Sequence, residues 1–187
     1  MSKEEPFADP STLGLWGFAL TTIVLSLHNA GVIPTAGMTL AYAFFWGGMA
    51  QVFAGWMDFK RGNMLGGTAF STYGLFWIGL GLAFVLQAWD PRVFSFGGSE
   101  LGTWFVFWGI LTLVYTVGAY MAKARVLTSV LALLTLTFWV LAAAFYSGSP
   151  AVLHAGGWVG LITGLDALYL GAALILNWVA RRQLLPT

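Results

Sequence analysis

The sequence predicts an all-α integral membrane protein with six transmembrane helices and both termini in the cytoplasm. Of its 187 residues, 59% are hydrophobic and 8% are charged, the apolar residues form six long runs, and the basic residues segregate between the connections. A soluble domain carries about 25% charged residues, so the charged side chains of this chain cannot cover a water-facing surface. The composition therefore excludes a soluble enzyme, a nucleic-acid-binding domain and a disordered chain.

Six runs reach the length of about 20 helical residues that a hydrocarbon core of roughly 30 Å requires. Each run ends at a connection rich in Gly, Pro or charge, and these connections read VIPTAG, DFKRGN, DPRVFSFGGSE, AKA and SGSPAVLHAG in chain order. Helices are required because lipid offers no partner for an unpaired backbone amide. Within a single transport domain of residues 1–187, the predicted spans are Leu13–Val32, Gly37–Met57, Thr68–Gln87, Leu101–Met121, Val126–Tyr146 and Gly156–Val179.

The basic residues set the orientation, because cytoplasmic loops carry an excess of Lys and Arg. In a six-span arrangement only Arg92 falls on one side. The other side receives Lys3, Lys60, Arg61, Lys123, Arg125, Arg181 and Arg182. We therefore expect that side, with both termini, to be cytoplasmic, and we expect a multi-pass protein of the cell membrane.

Small residues recur every fourth position in the sixth run, at Gly156, Gly160 and Gly164. Such a stripe lets helix backbones approach closely, since lipid removes the hydrophobic drive for helices to associate. The stripe predicts close helix packing and leaves open whether the partner helix belongs to the same chain or to a second copy.

Polar side chains collect on one face of the first run. Spacings of four, three and four bring four residues to one side of a helix, and these are Phe18, Thr22, Leu25 and Asn29. Thr21 and His28 lie on the adjoining strip, and Gln51 and Tyr73 lie in the second and third runs. Hydroxyls and amides often bond across helices for about 0.6 kcal/mol each, so these residues either join helices or line a solute path. Their collection on one face favours the path.

Asp166 is the only charged residue well inside a predicted span. An aspartate at the bilayer centre costs about 2.5–3.5 kcal/mol, so it needs water, a partner or a proton. Two interpretations stay open, namely a pore-facing or proton-titrating group, and a protonated carboxyl bonded to a neighbouring helix.

No catalytic, metal or cofactor site is expected. The chain has no Cys and only two histidines, His28 and His154, which both fall near the predicted outer mouth. A histidine metal or haem site needs further ligands at the same depth, and none is evident. Either histidine is a cation that attracts an anion to the mouth at acidic pH, or a structural group bonded to a loop carbonyl or a helix end.

Several strings, in the same order, resemble the acetate uptake transporters, also called succinate–acetate permeases. They are ADPSTLGLWGF, which is similar to the signature N-P-A-P-L-G-L, then TTIVLSLHNAG, GGMAQVFAGWMDFKRGN, TAFSTYGLFW, ARVL and HAGGWVGLITGLDALYL. The resemblance extends from Asp9 to about Asn177. It departs at Asp9, which replaces the signature Asn, and at Asp166, where a small residue is usual.

The resemblance implies a six-helix membrane protein that moves acetate and related short monocarboxylates, sometimes succinate, and assembles as a homohexamer in membrane lipid. It also implies a hydrophobic constriction formed by Phe18, Tyr73 and Leu134, which would select by size and by dewetting. Polar positions that flank such a constriction match Thr21, Thr22, His28, Asn29 and Gln51.

We therefore expect an acetate channel or transporter with one path in each protomer, and neither an enzyme nor a nucleic-acid partner. Two alternatives remain. One is a channel for a small neutral solute such as urea, an amide or ammonia, since no Lys or Arg lies inside a span to hold a free carboxylate. The other is a membrane protein that does not transport, in which the polar residues only pack helices.

Overall fold

The structure, a computed structural model, describes residues 8–187, and every regular element in that range is helical. The expected all-helical class is confirmed. Lys3 lies outside the described residues. The elements in chain order are α1 (Ser11–Asn29), α2 (Gly37–Phe44), a π-helical segment (Phe45–Ala50), α3 (Gln51–Lys60), α4 (Met64–Trp89), α5 (Gly98–Met121), α6 (Arg125–Ser147) and α7 (Pro150–Ala180).

Five of the described helices, α1, α4, α5, α6 and α7, are long and apolar enough to cross a membrane. The second predicted span corresponds to α2, the π-helical segment and α3, which follow one another from residue 37 to residue 60 with no residue between them. The π-helical segment contains Gly47 and Gly48, and a Cβ at Gly47 would lie 2.6 Å from Thr21 Oγ1 of α1. Glycines at these two positions let α1 and α4 approach the wider turn closely.

The largest difference from the predicted spans is the start of α7. The helix begins at Pro150, six residues before the predicted Gly156, because a proline has no N–H to lose in the first helical turn. His154 therefore lies within the helix rather than in a connection. Similarly, α4 begins at Met64 rather than Thr68, because the Asn63 side chain caps it by accepting a hydrogen bond from Gly66 N–H.

α7 packs along α1 through its small residues, which we call the glycine seam and which comprise Gly157, Gly160, Gly164 and Gly171. A Cβ at Gly164 would meet Ile23 Cγ1 at 2.6 Å, and one at Gly157 would collide with the backbone of Ala30. Two members of the predicted stripe, Gly160 and Gly164, thus face α1 of the same chain, whereas the third, Gly156, faces Leu141 of α6.

α4 and α5 meet in a different way, through rings that we call the aromatic seam and that comprise Tyr73, Phe76, Trp104 and Trp108. The Phe76 ring centroid lies 5.1 Å from that of Trp104 and 4.9 Å from that of Trp108. Large side chains hold these two helices apart, whereas small residues draw α1 and α7 together.

Candidate substrate path

Three cavities lie one after another inside the helix bundle. One, which we call the inner cavity after the orientation expected from the sequence, has a volume of about 410 Å³ and lies between the first turns of α1 and α4 and the turn from α5 to α6. Another, which we call the outer cavity, has a volume of about 480 Å³ and lies at the opposite end, between the last turn of α1 and the first turns of α2 and α5. A central chamber of about 30 Å³ adjoins both, which is room for about one water molecule.

The lining residues establish this order. The inner and outer cavities have no lining residue in common, whereas the chamber borders each of them. The chamber shares Phe18, Tyr73 and Leu134 with the inner cavity. It shares Leu25, Asn29, Trp77 and Phe105 with the outer cavity.

Phe18, Tyr73 and Leu134 are brought together from α1, α4 and α6, and each is more than nine-tenths buried. The Phe18 and Tyr73 ring centroids are 6.0 Å apart. Tyr73 is fixed at its far end, because its hydroxyl donates a hydrogen bond to Thr112 Oγ1 at 2.9 Å. Because all three side chains line both the inner cavity and the chamber, an apolar boundary separates the two spaces.

Polar groups without partners stand on either side of this boundary. Gln51, the first residue of α3, is 1% exposed and lines the inner cavity, and neither atom of its amide has a hydrogen-bond partner. Thr22 lines the chamber, and its Oγ1 is also buried without a partner. A buried polar group that makes no hydrogen bond costs about 1–3 kcal/mol, so both groups are ready to bond a polar molecule that enters.

His28 and Asn29 line the outer cavity, and Asn29 also lines the chamber. The Nδ1–H of His28 donates to the carbonyl oxygen of Ile33 at 3.3 Å, so the ring is fixed to the loop after α1. His154 is exposed, packs over Gly31, and does not line the outer cavity. His28 therefore bonds a loop carbonyl and also lines the outer cavity, so a structural role does not exclude a role at the mouth of that cavity.

Thr21 and Asp166 line none of the three cavities, and both make hydrogen bonds within the bundle, which agrees with the helix-packing interpretation of each. Thr21 is fully buried against the π-helical segment, and its hydroxyl donates to Gly17 O at 2.9 Å. Asp166 is half-buried and accepts a 2.6 Å hydrogen bond from Ser129 Oγ. Ser129 is four residues from the start of α6, so Asp166 lies towards one end of the bundle and not at its middle.

The mouth of the inner cavity contains residues that the sequence did not predict to line a path. Lys123 lines it at the turn from α5 to α6, with φ of 58°. This is the left-handed region that glycine ordinarily occupies, and a residue with a Cβ pays about 1–2 kcal/mol there. Of the described residues that line the inner cavity, Lys123 alone has a charged side chain. A cation at this point attracts an anionic solute.

A charged network lies beside the same mouth. Asp58 of α3 is fully buried and lies 3.7 Å from Arg61 Nη1, which also lies 3.1 Å from Asp9 Oδ1. Asn63 donates to Asp58 Oδ2 at 3.1 Å. Partial burial raises the pKa of Asp9, but hydrogen bonds from Ser11 and the charge of Arg61 outweigh it and hold that pKa below its ordinary value. In the sequence Asp58 belongs to the polar connection DFKRGN, and its burial could not be predicted because it depends on how α3 and α4 pack.

The described part of the chain has no group of three or more His, Asp or Glu side chains that could hold a metal ion. Among the described residues, the path offers an apolar boundary, unpartnered amide and hydroxyl groups beside it, and the Lys123 cation on the lining of the inner mouth. Such groups bind a small polar solute weakly and let it pass.

The comparisons with known proteins agree with this architecture. The model of the GPR1/FUN34/yaaH family matches residues 1–181. The chain is 41% identical to the succinate-acetate/proton symporter SatP of Escherichia coli K12 over 182 residues, which are 96% of this chain and 94% of that protein. It is 34% identical to the ammonia transport outward protein 2 of Saccharomyces cerevisiae, over 87% of this chain and 60% of the yeast protein.

A solved structure described as the bacterial acetate channel SatP superposes with a TM-score of 0.92 at 40% identity, over 96% of this chain and 98% of that one. These relatives are transport proteins and not enzymes. The resemblance inferred from the sequence motifs is confirmed, and the chain belongs to the GPR1/FUN34/yaaH family of membrane transport proteins.

Proposed function

We propose that this protein moves acetate and related short monocarboxylates across the cell membrane, along the path from the outer cavity through the chamber to the inner cavity. The observation that carries the proposal is the apolar boundary of Phe18, Tyr73 and Leu134, with unpartnered Thr22 and Gln51 on its two sides. A small carboxylate exchanges part of its water for these groups on either side. The boundary itself rejects larger or more strongly hydrated solutes.

Each end of the path has a distinct part in this proposal. His28 and Asn29 receive the solute in the outer cavity, where an imidazole that gains a proton adds a positive charge. At the other end Gln51 binds the solute after it crosses the boundary, and Lys123 attracts it to the inner mouth. Succinate belongs to the proposal because the E. coli relative carries it in its name.

The proposed topology has six spans and both termini in the cytoplasm. The run from residue 37 to residue 60 is the second span, since its 24 residues reach about 36 Å as a continuous helix. The inner cavity then faces the cytoplasm, on the side of Lys60, Arg61 and Lys123. The assembly is a closed homohexamer in lipid, with a separate path in each protomer.

A small neutral solute is the second candidate, and a specific observation favours it. The yeast relative is named for ammonia transport, and the boundary and chamber contain no ionised group. Ammonia or urea would cross an apolar boundary without the cost of dehydrating a charge.

Uptake of radiolabelled acetate into liposomes that contain only this protein tests the proposal. We expect saturable acetate uptake above that of empty liposomes, with competition by propionate. Urea or ammonia flux without acetate flux would support the second candidate, and no flux of any of these solutes through a folded, reconstituted protein would contradict transport altogether.

A further inference from the structure

We infer that the central chamber is a binding point for one carboxyl group, and that the indole N–H of Trp77 is its donor. This inference rests on the proposed transport of monocarboxylates and deepens it, because it adds a residue and a recognition rule to the path. Trp77 lies in the third predicted span, and no motif or spacing in the sequence distinguishes it from the other tryptophans.

Two unpartnered polar groups line the chamber. Trp77 is 3% exposed, Thr22 is 6% exposed, and both Trp77 Nε1 and Thr22 Oγ1 are buried with no hydrogen-bond partner. The rest of the lining is chiefly aromatic and aliphatic, with Ser26, Asn29 and Thr137 as its other side chains that carry an amide or an aliphatic hydroxyl. A buried polar group without a partner costs about 1–3 kcal/mol, and a guest in the chamber that bonds to Trp77 and Thr22 would recover that free energy.

The size of the chamber limits what the guest places there. At about 30 Å³ it accommodates one water molecule or one oxygen-bearing head group and not a whole larger solute. Trp77 also lines the outer cavity, so a solute can leave its alkyl part there while its head group enters the chamber.

The donor chemistry defines the class of guest. An indole N–H only donates, whereas a hydroxyl both donates and accepts. The pair therefore suits an oxygen acceptor beside Trp77 and either an oxygen or an O–H group beside Thr22. Acetate and acetic acid both satisfy this pattern. Ammonium does not, because it has no lone pair to accept from Trp77.

The test compares Trp77→Phe with a matched control, Trp46→Phe. Trp46 also has a buried, unpartnered indole N–H, but it lines none of the three cavities. In liposomes at fixed pH, we expect Trp77→Phe to raise the half-saturation concentration for acetate by about tenfold, the usual effect of losing one hydrogen bond to a charged group. Trp46→Phe should stay within about twofold of the unsubstituted protein.

A loss of folded protein would lower the maximal rate and leave half-saturation unchanged, so the two parameters separate a binding role from a structural one. Replacing Trp77 by benzothienylalanine, which exchanges the N–H for sulfur in a ring of nearly the same shape, gives a second variant if Trp77→Phe folds poorly. It should show the same rise in the half-saturation concentration.

Thr22→Val should also raise the half-saturation concentration for acetate. The variant that combines Thr22→Val with Trp77→Phe should raise it by less than the product of the two single increases, because both groups bind one head group.

Unchanged half-saturation in both Trp77 variants, with acetate uptake intact in the unsubstituted protein, would overturn the inference and leave the proposed function standing. Absence of acetate uptake in the unsubstituted protein would instead overturn the proposed function.

Discussion

The glycine seam and the aromatic seam build two opposite kinds of helix contact in one small bundle. Along the glycine seam, backbones of α1 and α7 come so close that a single added Cβ meets main-chain atoms. Along the aromatic seam, rings with centroids about 5–6 Å apart separate α4 from α5. The first contact fixes distances between helices, and the second leaves space between them that side chains fill.

The difference explains where a path can form. The proposed boundary draws one residue from each of three helices, and Tyr73 belongs to the aromatic seam while Phe18 lies on a helix held by the glycine seam. The closely packed pair of α1 and α7 positions the wall of the path that carries Phe18. Large side chains of α4 and α5 form the wall that carries Tyr73. We therefore expect substitutions in the glycine seam to affect folding and substitutions near the aromatic seam to affect selectivity.

The largest effect is expected from Gly157→Leu in the glycine seam. A Cβ there collides with the backbone of Ala30, which cannot move aside as a flexible side chain can. We expect loss of the folded protein, measured as the monodisperse fraction in size-exclusion chromatography in mild detergent. Gly79→Ala is the control, because a Cβ at Gly79 meets nothing within 4 Å. A monodisperse Gly157→Leu protein would show that the protein still folds when α1 and α7 are moved apart.

Leu134→Ala should change selectivity without unfolding the protein. Removing three carbons from the proposed boundary widens it, so lactate should enter and the preference for acetate over lactate should fall by about tenfold. The ratio of the two uptake rates in liposomes measures this. Leu136→Ala, at a position 47% exposed on the same helix, serves as control. An unchanged ratio in Leu134→Ala would contradict the proposed boundary.

His28→Gln tests whether His28 only bonds the loop after α1 or also attracts the solute through the charge of its protonated imidazole. If the protonated imidazole attracts the anion, the variant should lose about threefold in uptake at acidic external pH and little at neutral pH. The measurement must hold the concentration of undissociated acid fixed, because acidification also protonates the solute. His154→Gln is the control, since His154 does not line the outer cavity. An unaltered pH profile would leave His28 as a structural residue that bonds Ile33.

The smallest effect is expected from Asp9→Asn at the inner mouth. Because the folded-state pKa of Asp9 is lowered, its ionised form stabilises the protein above the unfolded pKa of about 3.9, and this contribution disappears as pH falls through the folded pKa. Asp9 is half exposed, so its pair with Arg61 is worth about 0.2–1 kcal/mol. The variant should melt slightly lower at pH 7, and the difference should shrink as the pH falls below about 3.9. A difference that does not change with pH would attribute the effect to packing.

The sequence predicted features that depend on local periodicity. Phe18, Thr22, Leu25 and Asn29 were assigned to one helix face by their spacing alone, and all four line the chamber. The helical runs overlap the predicted spans for the same reason, since hydrophobic length is a property of the chain itself.

Features that depend on how helices pack could not be read in this way. Leu134 looks like any leucine of an apolar helix, and only the family resemblance drew attention to it. Asp166 lies in the middle of a predicted span, yet α7 starts earlier and runs longer than its neighbour, which moves Asp166 to the level of Ser129. Trp77 is one of ten tryptophans, and its unpaired N–H becomes visible only in three dimensions.

The π-helical segment has a consequence for how this chain can change in evolution. A π-helical turn, with its i→i+5 hydrogen bonds, holds about one residue more than an α-helical turn. Deleting one residue from Phe45–Ala50 would therefore let an ordinary helix form while the parts before and after it stay nearly in phase. Thr39 would still face the outer cavity and Gln51 the inner cavity, so this short stretch is where the second run can lose a residue without turning one end of the path away from the other.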